Sequence, residues 1–99
     1  MEIKKTSTTD GMELTLTGRL DVITSKGLQA ALIEAVQSSE TVVLDFGGVE
    51  YLSSAGLRAL LNGQKAAQQS GKSIMIKNVM PEVMEVFDIT GFSGILTII

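Results

Sequence analysis

The sequence predicts a single α/β domain whose mixed, mostly parallel sheet is packed with helices, and two observations carry this prediction. Apolar residues first recur at every second position and then, from Thr24 onward, at the spacing of an amphipathic helix. Further helical segments then alternate with short apolar runs, which is typical of parallel strands joined by helical crossovers. The predicted order of elements is ββαβαβαβ, in one domain over residues 1–99.

The first two elements are predicted strands that form a hairpin. The segment MELTLTG alternates Met12, Leu14 and Leu16 with polar residues, as expected of a strand with one wetter face. The preceding segment EIKKTST is joined to it through Asp10-Gly11, a pair that favours tight hairpin turns. We therefore expect these two strands to be antiparallel.

The first helix and the third strand follow. Thr24 or Ser25 is the predicted N-cap, and the apolar face of the helix comprises Leu28, Ala31, Leu32, Ala35 and Val36. The nearly continuous apolar run TVVLDF, from Thr41 to Phe46, predicts a strand buried on both faces. Gly47-Gly48 is predicted to turn the chain at the end of that strand.

The remaining elements repeat this alternation. A second helix is predicted to end at a left-handed Gly71, and SIMIK then forms a buried strand. Pro81 suits the first turn of a third helix, which Gly91 is predicted to end. The segment ILTII, residues 95–99, supplies the last strand.

Composition excludes several classes of function. Eleven acidic and eight basic side chains give a net charge of −3, so nucleic acid is not an expected partner. The chain has no cysteine and no histidine, which removes thiolate metal sites and the commonest general base. No apolar run could span a bilayer. We therefore expect a cytoplasmic protein without membrane insertion that is not an enzyme and has no catalytic residues, bound metal or cofactor.

Two adjacent serines open the second predicted helix. In such sheets, binding residues gather at the carboxyl ends of parallel strands, and GGVEYLSSAG occupies such a place. A serine before a helix ordinarily serves as its N-cap, but one serine is enough, so Ser53 and Ser54 leave one hydroxyl without an assigned role. A phosphate at a helix N-terminus would be stabilised by the unpaired N–H groups there.

Three segments carry a family resemblance that spans the whole chain. LTGRLDVITSKGLQAAL, LDFGGVEYLSSAGLRALL and VFDITGF resemble the opening motif, the phosphoserine loop and helix, and the last helix end of STAS domains. The chain resembles the bacterial anti-sigma-factor antagonists among them in particular. The resemblance implies partner switching. The unphosphorylated form binds a kinase-type anti-sigma factor, which releases the sigma factor, and a phosphatase reverses the phosphorylation that abolishes this binding.

The resemblance also assigns roles to residues. Alignment of Gly56-Leu57 on the family's Gly-Leu makes Ser54 the phosphorylation site, and Ser53 then replaces the usual aspartate. This leaves open whether Ser53 takes over capping or is itself a weaker acceptor. Asp21, Ser53, Gly56 and Arg58 are the predicted partner-binding residues. For Asp21 the alternative is a solvated turn carboxylate, and for Arg58 a plain surface arginine.

A second function stays open at this point. A STAS subunit of an ABC transporter would use the same fold and surface to bind the transporter ATPase. Ser53 in place of aspartate favours this alternative, whereas an acceptor serine favours the switch.

Overall fold

Five strands form one sheet in the computed structural model, which describes residues 1–99. The strands are β1 (Glu2–Ser7), β2 (Gly11–Leu20), β3 (Thr41–Leu52), β4 (Ser73–Lys77) and β5 (Thr97–Ile98). The helices are α1 (Ser25–Ser38), α2 (Ser54–Gln69) and α3 (Pro81–Thr90), and a 3-10 turn at Phe92–Gly94 precedes β5. The predicted order ββαβαβαβ is confirmed.

The strands lie in the sheet in the order in which they occur along the chain. β1 and β2 are antiparallel, as the hairpin signal predicts, while the pairs β2–β3, β3–β4 and β4–β5 are parallel. Each parallel pair is joined through one helix. Since such crossovers are right-handed and every step goes in the same direction, all three helices lie on one face of the sheet.

This topology makes the prediction that β3 is buried on both faces wrong. Val42, Leu44 and Phe46 are buried beneath the helices, but Val43 and Asp45, which point the other way, are only half-buried. A nearly continuous apolar run does not distinguish a strand covered on two faces from one in the middle of a sheet covered on one face.

The core lies between the sheet and the helix layer and comprises 20 buried apolar residues. Its largest side chains are Phe46 on β3 and Phe87 on α3, whose ring centroids are 6.0 Å apart. Burying an aromatic or leucine side chain of this kind contributes about 1.5–3 kcal/mol. The same layer therefore fixes α3 against the centre of the sheet.

The predicted turn at Gly47-Gly48 is also wrong, because β3 continues through both glycines to Leu52. The pairing of β3 with β2 shifts register between Thr15 and Thr17, so β3 carries an extra residue there. A Cβ at Gly48 would lie 2.8 Å from the carbonyl oxygen of Leu16, closer than real Cβ contacts come. Glycine is needed here for the close approach of two strands at a bulge.

Helix ends follow the predicted signals more closely than the last strand does. Gly71 and Gly91 are left-handed, with φ of 69° and 81°, and Pro81 lies in the first turn of α3. However, only Thr97–Ile98 of the predicted strand ILTII forms β5. The carbonyl oxygen of Phe92 accepts hydrogen bonds from the N–H groups of Ile95 and Leu96, which keeps the start of that segment in a turn.

The sheet face without helices carries an ion pair that spans the central strand. Lys77 Nζ on β4 lies 2.9 Å from Glu13 Oε1 on β2, and the hydrogen bond to Glu13 raises the pKa of Lys77. No helix of the structure is long and apolar enough to cross a membrane.

Candidate functional site

The candidate site lies at the carboxyl ends of β2 and β3, where α1 and α2 begin. Leu20 and Leu52, the last residues of the two strands, are paired, and the Ser53 N–H donates to the carbonyl oxygen of Leu20 at 2.9 Å. Residues that follow β2 and β3 therefore meet at one edge of the sheet. This brings the predicted site residue Asp21 next to Ser53 and Ser54.

At the start of α2 the two serines have different roles. Ser53 has extended backbone angles, and its Oγ accepts a hydrogen bond from the Gly56 N–H at 3.2 Å, so it is the N-cap. Ser54 is the first residue of the helix, is exposed, and its hydroxyl makes no hydrogen bond in the structure. A single residue separates β3 from α2, so Ser54 follows the strand almost directly and does not lie in a long loop.

Gly56 holds the start of α2 against the sheet. A Cβ at this position would lie 2.7 Å from Leu20 Cγ and 2.7 Å from Leu52 Cδ1, so only glycine lets the helix approach so closely. Gly56 is buried. Its predicted contact with a partner stays a prediction, and its position gives it a packing role that sets where Ser54 emerges.

At the start of α1, Asp21 caps the turn that leads into the helix. Its Oδ1 accepts hydrogen bonds from the N–H groups of Ile23 and Thr24, both at 3.0 Å, and the Asp21 N–H donates to Thr24 Oγ1 at 2.9 Å. The reciprocal pair has the hydrogen-bond pattern of a capping box but lies in the turn that precedes the helix. The Thr24 N–H, with smaller contributions from the Thr24 hydroxyl, Ile23 and Arg19, holds the pKa of Asp21 below its ordinary value.

Thr24 is the N-cap residue of α1, one of the two residues predicted for that position, but it does not cap the helix through its side chain. Its hydroxyl instead donates back to the carbonyl oxygen of Arg19 at 2.7 Å, and the Ser25 hydroxyl donates to the carbonyl oxygen of Asp21. All three polar side chains at this helix start are thus used to hold the turn.

A cavity of about 300 Å³ lies between the first turns of α1 and α2. Its lining includes Ser25, Lys26 and Gln29 from α1 and Ser54, Ala55 and Arg58 from α2. Arg58 is exposed, as predicted, and lies on the same wall as Ser54. The site thus combines a free hydroxyl with two cationic side chains.

One exposed apolar residue, Val22, lines this cavity, and others lie in neighbouring segments; sequence analysis did not identify them. Val22 and Ile23, in the turn capped by Asp21, are 68% and 84% exposed. Tyr51 at the end of β3 is 41% exposed, and the Arg19 guanidinium lies over its ring, 4.1 Å from the centroid. The signal in the sequence was two β-branched apolar residues placed after a capping aspartate, outside the periodic core positions of the helix.

We call this region the Ser54 surface and define it by Asp21, Val22, Ile23, Ser54 and Arg58. Exposed apolar side chains next to an arginine are typical of protein-binding surfaces. A contiguous patch of exposed apolar residues marks a surface that interacts with a protein, a membrane or a ligand. The arrangement therefore suits the docking of another protein around the Ser54 hydroxyl.

Comparison with known proteins gives the family. Residues 3–97 match the family model described as Mlab, STAS domain. BtrV of Bordetella bronchiseptica, a candidate anti-sigma factor antagonist, is 37% identical over 91 residues, which cover 90% of this chain and 78% of that protein. The anti-sigma-B factor antagonist of Listeria monocytogenes is 30% identical over 100 residues, which cover 99% of this chain and 86% of that protein.

A solved structure shares the fold. It is the Bacillus cell fate determinant SpoIIAA in its phosphorylated form, with a TM-score of 0.76 and 17% sequence identity. The match covers 99% of this chain and 91% of that one.

Proposed function

This chain belongs to the STAS domain family of anti-sigma-factor antagonists, and we propose that it is itself an antagonist that acts by partner switching. In its unphosphorylated form it binds a kinase-type anti-sigma factor through the Ser54 surface, and the sigma factor is released. The kinase transfers the γ-phosphoryl group of ATP to Ser54 Oγ, ADP leaves, and the hydroxyl proton passes to a base of the kinase. A separate phosphatase restores the hydroxyl.

One observation carries this proposal: Ser53 alone caps α2, which leaves the Ser54 hydroxyl exposed and without a hydrogen bond. A kinase requires a hydroxyl that is accessible and whose modification does not dismantle the fold. If Ser54 were the cap, phosphorylation would compete with helix stability. Because Ser53 fills that role, a phosphate on Ser54 changes the surface and not the scaffold.

The physical effect of the phosphate follows from its charge and position. A phosphoserine carries about −1.5 to −2 charges at pH 7. Ser54 lines the same cavity as Val22, which is 68% exposed and would be desolvated on docking. A phosphate within such an interface loses its hydration, and desolvating a charge costs several kcal/mol even where it has a partner. The partner therefore dissociates.

The alternative function, binding of an ABC transporter ATPase, loses its main support. It was favoured by Ser53 in place of the family's aspartate. Aspartate and serine are about equally good N-caps, and Ser53 occupies the cap position with its side chain engaged. The replacement therefore conserves the helix start and gives no reason to regard the phosphorylation site as disabled.

The experiment that tests this proposal combines phosphorylation with two substitutions. After incubation with the anti-sigma factor kinase and ATP, mass spectrometry should find the phosphate on Ser54. Ser54→Asp should weaken binding of the anti-sigma factor roughly a hundredfold, about 2.7 kcal/mol. Ser54→Ala should keep the affinity within about twofold, since it removes a hydroxyl that makes no hydrogen bond.

Two outcomes would overturn the proposal. One is phosphate on Ser53 alone, or none at all from a kinase that binds the protein. The other is equal affinity of the Ser54→Asp and Ser54→Ala variants, which would mean that charge at this position does not control binding. Binding of a transporter ATPase to the same surface would instead favour the alternative.

A further inference from the structure

Two cationic side chains that line the cavity between the first turns of α1 and α2 have no anionic partner. The structure contains three ion pairs, and their cations are Lys5, Lys72 and Lys77. Lys26 and Arg58, which both line the cavity, take part in none of them. A lysine and an arginine that converge without a carboxylate are available for an anion.

The two cations reach the cavity from different helices. Ser54 and Arg58 are four residues apart on α2, so their Cβ atoms lie roughly 5–6 Å apart on the same helix face. Lys26 comes from the first turn of α1 and lines the same cavity. A group attached to Ser54 Oγ would therefore have a guanidinium on its own helix and an ammonium on the neighbouring helix.

The local charge contrasts with that of the whole chain. The protein carries a net charge of −3, yet no carboxylate lines this cavity. The first turns of α1 and α2 contain no acidic residue either. The cavity, at about 300 Å³, also has ample room for a tetrahedral oxyanion, since a water molecule takes about 30 Å³.

We propose that this cavity holds the phosphoryl group of phosphorylated Ser54 within the same molecule, with Lys26 and Arg58 as its ligands. This inference rests on the proposed phosphorylation of Ser54. It gives the modification a second effect besides the added charge, because the phosphate occupies the two cations that the unmodified protein offers to carboxylates of its partner. Phosphorylation thus adds a group that must be desolvated on docking and withdraws two cations from the partner.

The test uses protein with phosphoserine built in at position 54 during synthesis, so that no kinase is needed. The second ionisation of phosphoserine ordinarily has a pKa near 6, and ³¹P NMR measures it directly. We expect the folded protein to show a pKa lower by roughly one unit, because a cation close to an acid favours its charged form. In concentrated urea, where the helices separate, the pKa should return to about 6.

Substitutions assign the shift to the two cations. Arg58→Ala and Lys26→Ala should each raise the phosphoserine pKa by about half a unit, and the double variant should abolish the shift. Both side chains are exposed, so the fold should tolerate their removal. Lys65→Ala is the matched control, since Lys65 is an exposed cation on α2 that does not line the cavity, and it should leave the pKa unchanged.

A phosphoserine pKa near 6 in the folded protein, or a lowered pKa that the double variant leaves in place, would overturn the inference. This result is separate from the test of the proposed function, because the phosphoserine is installed chemically. If the phosphate is held by Lys26 and Arg58 but no kinase modifies Ser54, the proposed function fails while the cavity's affinity for the phosphate stands. If a kinase phosphorylates Ser54 but Lys26 and Arg58 do not bind the phosphate, the proposed function stands and this inference fails.

Discussion

The N-termini of α1 and α2 lie side by side at the same edge of the sheet, but they use their polar side chains differently. At α1, Asp21, Thr24 and Ser25 all form hydrogen bonds within the turn. At α2, Ser53 alone does so, through the Gly56 N–H, and Ser54 has no partner. All three of these side chains at the start of α1 are hydrogen-bonded within the turn, whereas at the start of α2 the Ser54 hydroxyl has no hydrogen-bond partner.

This difference shows that the two kinds of helix start suit different purposes. A turn whose side chains are all engaged is rigid, and it presents Val22 and Ile23 to solvent in fixed positions. A start with a spare hydroxyl can be modified without loss of a structural hydrogen bond. The turn before α1 therefore sets the shape of the Ser54 surface, and Ser54 at the start of α2 is the residue at which the charge of that surface can change.

The largest effect on stability is expected from substitution of Gly56 in the first turn of α2, compared with Gly27 in the first turn of α1. Gly56→Ala should destabilise the protein by about 2 kcal/mol, because its Cβ would lie 2.7 Å from Leu20 and Leu52 side-chain atoms. Gly27→Ala is the matched control on α1, where no atom lies within 4 Å, and it should stabilise by up to about 1 kcal/mol. Urea unfolding measures both. Similar unfolding free energies for the two variants would mean that the first turn of α2 does not pack more closely against the protein core than that of α1.

A smaller effect should separate Ser53 from Ser54. Ser53→Ala removes the N-cap and should cost about 1 kcal/mol, whereas Ser53→Asp should keep nearly full stability. Ser54→Ala should change the unfolding free energy by less than about 0.5 kcal/mol, as an exposed residue without hydrogen bonds does. If Ser53→Ala cost nothing, Ser54 would be able to cap in its place, and the proposed division of roles would be wrong.

The smallest effect concerns the acid sensitivity of the α1 start. The pKa of Asp21 is lowered in the folded state, chiefly by the Thr24 N–H, so its carboxylate stabilises the fold above the unfolded-state pKa of about 3.9. This contribution disappears as the pH falls through the lower, folded-state pKa. Urea midpoints of the wild type and Asp21→Asn should differ at pH 7 and converge toward pH 2.5. A constant difference over that range would show that the charge of Asp21 does not contribute.

Much of the fold could be predicted because its signals are local. The alternation of Leu14 and Leu16 in β2, the left-handed Gly71 and Gly91, and Pro81 in the first turn of α3 each depend on a few neighbouring residues. The predicted end of β3 was wrong because it depends on residues that are distant in the sequence. The length of β3 depends on its pairing with β2 across a bulge. Gly48 allows the two strands to approach closely there, but in the sequence a glycine pair at this place looks like a turn signal.

The candidate site divides in the same way. The segment that contains Ser54 could be placed at the carboxyl ends of the parallel strands from the order of elements, whereas Asp21 is placed there by the family resemblance. Val22 and Lys26 could not be grouped with Ser54, because they lie on a segment far from it in the sequence. Nothing in their local sequence distinguishes them from ordinary surface residues.

The sequence by itself determined the element order, the face each helix buries and the pair of serines at the start of α2, because periodicity and end signals act over a few residues. The tertiary structure decided which serine is the cap, since that depends on the extended backbone at Ser53 and the position of the Gly56 N–H. It also decided that Lys26 faces Ser54, because only the parallel pairing of β2 with β3 brings the two helix starts together.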